Sequence, residues 1–239
     1  MKILHWNCQG LRRNLLTIPY LKDIRNSVKP DVVFLVETKN NYKYVNNLCQ
    51  DLGFPYHYII SSDGLTGGLA IFWNDRVQLD FVNTPILNYT DVYISAPGQP
   101  TFCLSYVYGD PEVKHRNNMW HKMIFLAEIG RYSSKPRLVI GDLNDKKGNE
   151  EKSGGPTRSE NSFKLFRQML SSSGLHDLKV FGGNFTWNGQ RYSHYVQTRT
   201  DRAVATADWL DVFRRACVQL LDWIGSDHRP LLVNTGERK

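Results

Sequence analysis

Short runs of apolar residues recur along the chain between polar stretches rich in glycine and proline, a pattern typical of β-strands. DVVFLV (31–36) is apolar at consecutive positions, as in a strand with both faces covered. VQLDFV (77–82) alternates, as a strand with one exposed face does. The runs that predict strands are KILHWN, DVVFLVE, YHYIIS, GLAIFWN, VQLDFVN, DVYISA, TFCLSYVY, RLVIGDLN, FTWNG and PLLVNT.

Helical spacing of apolar residues predicts helices between some of these strands. In the last of them, Ser159 is a start signal, and Phe163, Phe166, Met169 and Leu170 follow at helical spacing. The predicted helices span about residues 14–28, 42–52, 114–132 and 160–173. Helices early in the chain, consecutive strands in its middle and a mixture afterwards predict α/β layers with mixed sheets.

The 239-residue chain has no internal repeat and no low-complexity linker, so we expect residues 1–239 to form a single domain. Apolar runs such as LAIFW (69–73) are too short to cross a bilayer, and His5 and Asn7 interrupt the N-terminus where a signal peptide needs an apolar stretch. Four cysteines lie far apart without a CxxC motif, which favours reduced intracellular thiols over a zinc site or a disulfide framework. We expect a soluble protein without membrane contacts.

Thirty Lys and Arg residues against 23 Asp and Glu residues give a net charge of +7. This excess has two interpretations: it keeps the protein in solution, or it binds a polyanion, most commonly nucleic acid. The basic residues are scattered, as in Arg12-Arg13, Lys146-Lys147 and Arg214-Arg215, and form no tail. A polyanion would therefore bind to a folded surface.

Polar side chains follow several predicted strands at the point where each strand ends. These residues are Asn7, Glu37, Tyr106, Asp142 and Asn144. The stretch IGSDHRPLL (224–232) reverses the order, because Asp227 and His228 precede a strand. If that strand runs antiparallel to the others, its start lies at the same edge as their ends, where α/β proteins commonly bind ligands. Each residue alone has a structural interpretation as a cap or turn residue, but their repeated placement favours one shared site.

Two of these residues are suited to a metal ion. Glu37 and Asp227 carry hard oxygen ligands of the kind Mg²⁺ prefers, and Mn²⁺ is a possible substitute. No group of thiolates or histidines in the sequence favours a softer metal.

The remaining residues suit the hydrolysis of a phosphodiester. Asp142 can orient or deprotonate a water, with Asn144 fixing its position, and Tyr106 can stabilise charge in the transition state. His228 can hydrogen-bond a phosphate oxygen if a carboxylate holds its ring, and Asp201 is the candidate for that carboxylate. In such a site, positioning and electrostatics do most of the catalytic work.

These motifs, in this order, resemble the exonuclease–endonuclease–phosphatase superfamily over nearly the whole chain. They are WN (6–7), ET (37–38), SYVYG (105–109), GDLN (141–144), TD (200–201) and SDH (226–228). Further stretches are similar to the endonuclease domain at the N-terminus of the plant LINE-type (non-LTR) retrotransposon polyprotein. These stretches are GLTGGLAIFW (64–73), YGDPEVKHRNNMW (108–120), EKSGGPTRSE (151–160), FTWNG (185–189) and DRAVATADW (201–209).

The resemblance implies a four-layer α/β sandwich of two mixed sheets flanked by helices. It also implies an Mg²⁺-dependent endonuclease that nicks one strand of double-stranded chromosomal DNA in the nucleus, after synthesis in the cytoplasm. The nick leaves a 3′-hydroxyl that primes reverse transcription. The domain is expected to be a monomer by itself and, in the parent polyprotein, fused to a reverse transcriptase that this chain lacks. The positions that match the active-site set are Asn7, Glu37, Tyr106, Asp142, Asn144, Asp201, Asp227 and His228, and Thr186 and Ser226 match positions that support substrate phosphates.

The chain departs from the family pattern at three places. Leu143 stands where the family usually has Phe, Asp145-Lys146 where it often has Glu-Ile, and Thr200 where it has Leu. None of these is a catalytic side chain, so activity is expected.

Three alternatives remain open on the sequence: an abasic-site repair endonuclease, a phosphatase of small molecules, and a non-catalytic DNA-binding remnant. Specificity is also open. The segment GQRYSHYVQTRT (189–200) carries Arg191, Tyr192 and Arg199 and predicts a hairpin. It either enters the minor groove of DNA or is an ordinary surface hairpin. The three tryptophans Trp6, Trp73 and Trp187 are predicted to be core residues.

Overall fold

The computed structural model describes residues 1–130 and 135–236. Its strands are β1 (Lys2–Asn7), β2 (Val32–Val36), β3 (Tyr56–Ile60), β4 (Leu69–Trp73), β5 (Gln78–Phe81), β6 (Tyr89–Ala96), β7 (Gln99–Val107), β8 (Arg137–Asp142), β9 (Lys152–Ser153), β10 (His176–Asp177), β11 (Lys179–Phe181), β12 (Trp187–Arg191), β13 (His194–Thr198), β14 (Asp201–Ala205), β15 (Cys217–Leu220) and β16 (Leu231–Asn234). The α-helices are α1 (Thr17–Ser27), α2 (Tyr42–Asp51), α3 (Val113–Glu128), α4 (Lys164–Ser172) and α5 (Ala207–Val212), and short 3₁₀ helices cover Asn149–Glu151 and Glu160–Phe163.

Two large sheets form the centre of the fold. One has the strand order β11-β15-β16-β1-β2-β4-β3 and the other the order β10-β14-β8-β7-β6-β5. Both sheets are mixed, since β1 and β2 pair in parallel in the first and β7 and β8 in the second, while antiparallel pairs complete each sheet. The predicted α/β sandwich of two mixed sheets is confirmed.

The burial of both faces of strand β2 shows why the fold has helices outside the two sheets, four layers in all. Val32, Phe34 and Val36 pack into the apolar core between the two sheets, whereas Val33 and Leu35 pack on the opposite face beneath α1 and α2. Because successive side chains of a strand point to opposite faces, a run of five apolar residues means that both faces are buried. The outer face of the second sheet is covered in the same way by α3 and α4. The both-faces-covered prediction for this strand is confirmed.

A small third sheet, β12-β13-β9, contains the predicted hairpin. Strands β12 and β13 pair from Trp187 with Thr198 to Arg191 with His194, so the turn falls at Tyr192 and Ser193. The predicted hairpin over 189–200 is therefore present.

Several elements were not predicted, and one prediction is only partly covered. The sequence patterns missed β14, β15 and α5, which are short or begin with charged residues. Predicted helix 114–132 corresponds to α3, and its positions 131 and 132 lie outside the described residues.

None of the helices in the described ranges is long and apolar enough to cross a membrane. Cys8, Cys49, Cys103 and Cys217 are free thiols.

Candidate active site

The strand ends named above meet at one edge of the sandwich. Strands β1 and β2 are parallel and in register from Ile3 with Val32 to Asn7 with Val36. Asn7 therefore lies beside the end of β2, and Glu37 is the next residue after that end. Strand β16 pairs antiparallel with β1, so the Asp227-His228 pair that precedes it lies at the same edge. The condition set from the sequence, an antiparallel last strand, is met.

Two glycines of the predicted motifs allow β7 and β8 to approach closely at this edge. A Cβ atom on Gly141 would lie 1.7 Å from the carbonyl oxygen of Val107, and one on Gly109 would lie 2.1 Å from that of Leu143. Since no side chain fits at either position, the glycines of SYVYG and GDLN are required by packing.

Backbone strain occurs at Glu37, whose φ of 56° lies in the left-handed region. For a residue other than glycine or asparagine, this conformation costs on the order of 1 kcal/mol, and such residues cluster at functional sites.

Asp142 is fully buried and is held by two asparagines. The side-chain amide of Asn7 donates to its Oδ2 at 3.0 Å, and the backbone N–H of Asn144 donates to its Oδ1 at 3.0 Å. Burial and the charge of Asp201 raise the pKa of Asp142 to about 6, although His228 and Asn7 act in the opposite direction. Its carboxylate can therefore accept a proton near neutral pH.

His228 lies between two carboxylates. Its Nδ1 is 2.9 Å from Oδ2 of Asp201, the predicted partner, and its Nε2 is 3.8 Å from Oδ2 of Asp142. Burial lowers the pKa of His228, but the charges of Asp201 and Asp142 outweigh it and raise the pKa to about 9. Burial likewise opposes ionisation of Asp201, yet the charge of His228 and the hydrogen bonds from His228 and His5 hold its pKa well below the usual range. His228 is therefore an imidazolium held between two carboxylates. The distance of 3.8 Å from its Nε2 to Asp142 is too long for a hydrogen bond, so the Nε2–H is available to another acceptor.

Neighbouring side chains also hold the two predicted metal ligands. Tyr108 Oη donates to Oε1 of Glu37 at 2.5 Å, and Lys39 Nζ lies 3.1 Å from Oε2 of the same residue. Trp187 Nε1 donates to Oδ2 of Asp227 at 3.1 Å. One oxygen of Glu37 already faces the ammonium group of Lys39, so the position of this carboxylate suits a positively charged partner.

Asp142, Asp201 and His228 form a second group that could hold a cation, with ligand atoms that all lie within 4.8 Å of one another. A protonated imidazole has no lone pair to offer a metal, however, and the pKa of His228 is raised to about 9. Proton handling suits this group better, and Glu37 and Asp227 remain the better cation ligands.

An open cleft of about 870 Å³ lies above Asn7, Asp142, Asn144 and His228. The basic residues that line it are Arg13, Lys146, Lys152, Arg158 and Arg191. Burial lowers the pKa of Lys146 to about 8, with a smaller contribution from the nearby charges of Arg158 and Lys152. The cleft is therefore suited to an anion.

The hairpin β12–β13 forms one wall of the cleft. The guanidinium of Arg191 lies 4.7 Å from the centroid of the Trp187 ring, and Tyr192 at the tip is 99% exposed. Trp6 is a core residue, as predicted, whereas Trp187 lines the cleft with one edge while remaining largely buried. Trp73 stacks on Tyr56 at the far end of the sheet.

Three predicted site residues, Tyr106, Thr186 and Arg199, have structural contacts in place of a position in the cleft. Tyr106 is fully buried against Phe34, with ring centroids 5.2 Å apart, and its hydroxyl has no hydrogen-bond partner in the described ranges. The hydroxyl of Thr186 accepts hydrogen bonds from the backbone N–H groups of Thr200 and Asp201, at 3.0 and 2.9 Å. Such contacts assign Thr186 to the support of Asp201.

Arg199 is the clearest departure from the expected substrate contacts. Its guanidinium pairs with Asp177 at 2.9 Å and Glu151 at 3.9 Å, which neutralises its charge away from the cleft. Ser226, in contrast, supports the active-site loop. Its hydroxyl donates to the carbonyl of Asn7 at 2.8 Å and accepts from the N–H of His228 at 3.1 Å.

The positions that depart from the family pattern are accommodated without loss of the site. Leu143 is buried in the apolar layer beneath α3 and α4. Asp145 is buried and accepts a hydrogen bond from Trp120 Nε1 at 3.2 Å. Lys146 adds a positive charge to the cleft.

Two residues of the site were missed in the sequence. Tyr108 belongs to the SYVYG motif, so its position next to Tyr106 was a usable signal. His5 contacts Asp201 with Nε2 at 3.2 Å from Oδ1. Nothing local in KILHWN indicates that contact, because it depends on packing of one sheet against the other.

A sequence profile described as the Endonuclease/Exonuclease/phosphatase family matches residues 4–228. The chain belongs to this family. Endonucleases, exonucleases and phosphatases all hydrolyse phosphate esters, so the expectation of a hydrolytic enzyme is confirmed at this level. No curated protein matches the sequence.

Solved structures share the fold of this family member over nearly its whole length. A 3′-5′ exonuclease from Neisseria meningitidis is 19% identical with a TM-score of 0.69, and the match covers 98% of this chain and 99% of that one. The AP endonuclease LMAP from Leishmania major is 16% identical with a TM-score of 0.69, covering 97% and 86%. The endonuclease domain of TRAS1, a telomere-specific non-LTR retrotransposon, is 21% identical with a TM-score of 0.65, covering 100% and 99%. At these identities the similarity establishes the shared fold.

Proposed function

We propose that this protein is an Mg²⁺-dependent endonuclease that nicks one strand of double-stranded DNA and leaves a 3′-hydroxyl. One observation carries the proposal: the buried Asp142–His228–Asp201 group opens into a cleft lined by basic side chains. A duplex backbone presents a phosphate for each nucleotide, and a positive cleft attracts it whatever its sequence.

The residues of the site divide the chemistry among them. Asp142, held by Asn7 and Asn144, accepts the proton of the attacking water. His228, held by Asp201, donates its Nε2–H to a phosphate oxygen as negative charge develops there. Tyr106 lies beneath these residues, and stabilisation of the transition-state charge by its hydroxyl stays a prediction.

The hard oxygen atoms of Glu37 and Asp227 fit a magnesium ion. These two residues would hold it, and the bound ion would supply positive charge that stabilises the negative charge of the transition state. Tyr108 and Trp187 then keep the two carboxylates in place.

The biological setting of the proposal comes from the resemblance to plant LINE-type endonuclease domains. In this setting the nick primes reverse transcription of a retrotransposon, the domain acts as a monomer on chromosomal DNA in the nucleus, and it is joined to a reverse transcriptase in the parent polyprotein. The full-length match to the TRAS1 endonuclease domain is compatible with it. The hairpin, with Arg191 and Tyr192, would contact the minor groove and sense its width.

Plasmid nicking tests the proposal directly. Supercoiled plasmid is incubated with Mg²⁺ or with EDTA, and with the wild-type protein, Asp142→Ala or His228→Ala. We expect nicked circles only with Mg²⁺, and at least a hundredfold loss in both variants, since each removes a group that acts in the transition state. Asp75→Ala and His121→Ala, at exposed positions, are matched controls and should retain activity.

Further substrates separate this proposal from its alternatives. Extension of the nicks by a DNA polymerase reports a 3′-hydroxyl. A duplex with a single abasic site, cut far faster than the plasmid, would instead favour a repair enzyme. Cleavage of p-nitrophenyl phosphate with intact plasmid would favour a phosphatase. A folded protein that binds DNA and hydrolyses none of these substrates would overturn the proposal in favour of a binding remnant.

A further inference from the structure

His5 lies in β1 and is completely buried between the two large sheets. Along this strand Ile3, His5 and Asn7 alternate with Leu4 and Trp6, which belong to the apolar layer beneath α1 and α2. His5 therefore shares a strand face with Asn7, the residue that holds Asp142, and lies directly beneath the active site.

A single carboxylate, that of Asp201, contacts His5 and His228 at the same time. Nε2 of His5 lies 3.2 Å from Oδ1, and Nδ1 of His228 lies 2.9 Å from Oδ2. An ionised carboxylate only accepts hydrogen bonds, so both imidazoles must donate and the proton of His5 resides on Nε2. Donors on both oxygens hold the carboxyl group against rotation about its Cβ–Cγ bond.

Packing alone does not account for an imidazole at this position. Ile3, two residues earlier on the same face, is apolar and fully buried. Nδ1 of His5 has no hydrogen-bond partner in the described ranges. A buried polar atom without a partner is costly, so packing by itself would favour an apolar side chain at this position.

We propose that His5 is a positioning residue of the active site: it fixes the Asp201 carboxylate, which in turn fixes the ring of His228 toward the scissile phosphate. This inference rests on the proposed nuclease function. His5 does not reach the substrate and acts only through Asp201.

A matched pair of variants tests the proposal. His5→Gln keeps an N–H donor at the distance of Nε2, whereas His5→Met has the same chain length and no donor. With saturating Mg²⁺, we expect His5→Met to lower kcat of nicking by about 10- to 100-fold at an unchanged KM for DNA, and His5→Gln to keep most of kcat. Equal kcat values in the two variants would overturn the proposal. If His5→Met does not unfold cooperatively, His5→Leu takes its place.

A second measurement is independent of activity. The Nδ1 proton of His228, shared with a carboxylate, gives a downfield proton resonance in NMR. We expect it in the wild type and His5→Gln, and a shifted or absent resonance in His5→Met. The same resonance in all three proteins would overturn the positioning role. A wild type that nicks no DNA, while the resonance distinguishes the two variants, would overturn the nuclease function and leave the positioning of His228 in place.

Discussion

Asp142 and Asp201 lie directly opposite each other on the antiparallel strands β8 and β14, and His228 lies between their carboxyl groups. Two carboxylates at paired positions repel each other, and a cation between them relieves the repulsion. Burial and the charge of Asp201 raise the pKa of Asp142. Burial also opposes ionisation of Asp201, but its closer contact with His228, which donates a hydrogen bond to it, holds the pKa of Asp201 below the usual range.

The nicking rate should follow a bell-shaped pH profile. Asp142 must be ionised to accept a proton, so the rate rises with pH through the pKa of about 6. His228 must be protonated to donate to the phosphate, so the rate falls above its pKa of about 9. Initial rates at saturating Mg²⁺ measure both limbs. His228→Asn should lose the alkaline limb, and an alkaline limb that persists in this variant would contradict the assignment.

Trp187→Phe should weaken cation binding. It removes the donor that holds Oδ2 of Asp227, and loss of such a support typically costs about tenfold in metal affinity. Electron paramagnetic resonance of free Mn²⁺ measures that affinity without any turnover. Trp209→Phe, which removes an indole N–H that has no hydrogen-bond partner in the described ranges, is the matched control. Equal Mn²⁺ affinities in the two variants would refute the role of Trp187.

Thr186→Val should destabilise the protein and slow the reaction. It removes the acceptor of two backbone N–H groups, those of Thr200 and Asp201, and leaving the buried N–H of Asp201 unpaired costs about 1–3 kcal/mol. Urea unfolding measures the loss, and Thr186→Ser keeps the acceptor and should restore the wild-type value. If Thr186→Val raised only KM for DNA at unchanged stability, a direct phosphate contact would be the better explanation.

Tyr192→Ala should change where the DNA is nicked while leaving stability within about 0.5 kcal/mol, because the side chain is 99% exposed at the hairpin tip. Sequencing the ends of nicked plasmid gives the distribution of sites. Tyr56→Ala, at the far end of the sandwich where β3 begins, is the matched control. An unchanged distribution in Tyr192→Ala, and in a variant with the whole tip exchanged, would make the hairpin an ordinary surface element.

Most strands were predictable because their signal is local. DVVFLV shows consecutive apolar residues, and β2 is indeed buried on both faces. Strand β14 was not predicted because it begins with Asp201 and Arg202, and charged residues usually lie at the surface. Both are buried here, since Arg202 pairs with Glu151 and Asp177.

Local sequence patterns were sufficient to place polar residues at the strand ends and to show what chemistry those residues offer. Asn7, Glu37 and Asp142 each follow an apolar run, and periodicity along the chain is sufficient to read that placement. The sequence also indicated that Asp227 and His228 reach the same edge, on the condition that the last strand be antiparallel.

Which of these groups contact one another depends on how distant parts of the chain pack together. The bond from His5 to Asp201 spans 196 positions and crosses from one sheet to the other. Its existence depends on how two sheets pack, and the alternation within β1 carries no information about the partner it meets. The same holds for Arg199, whose ion pairs with Asp177 and Glu151 arise where β14 meets its neighbours. Local patterns encode the face on which a side chain lies, whereas the fold as a whole sets its partner.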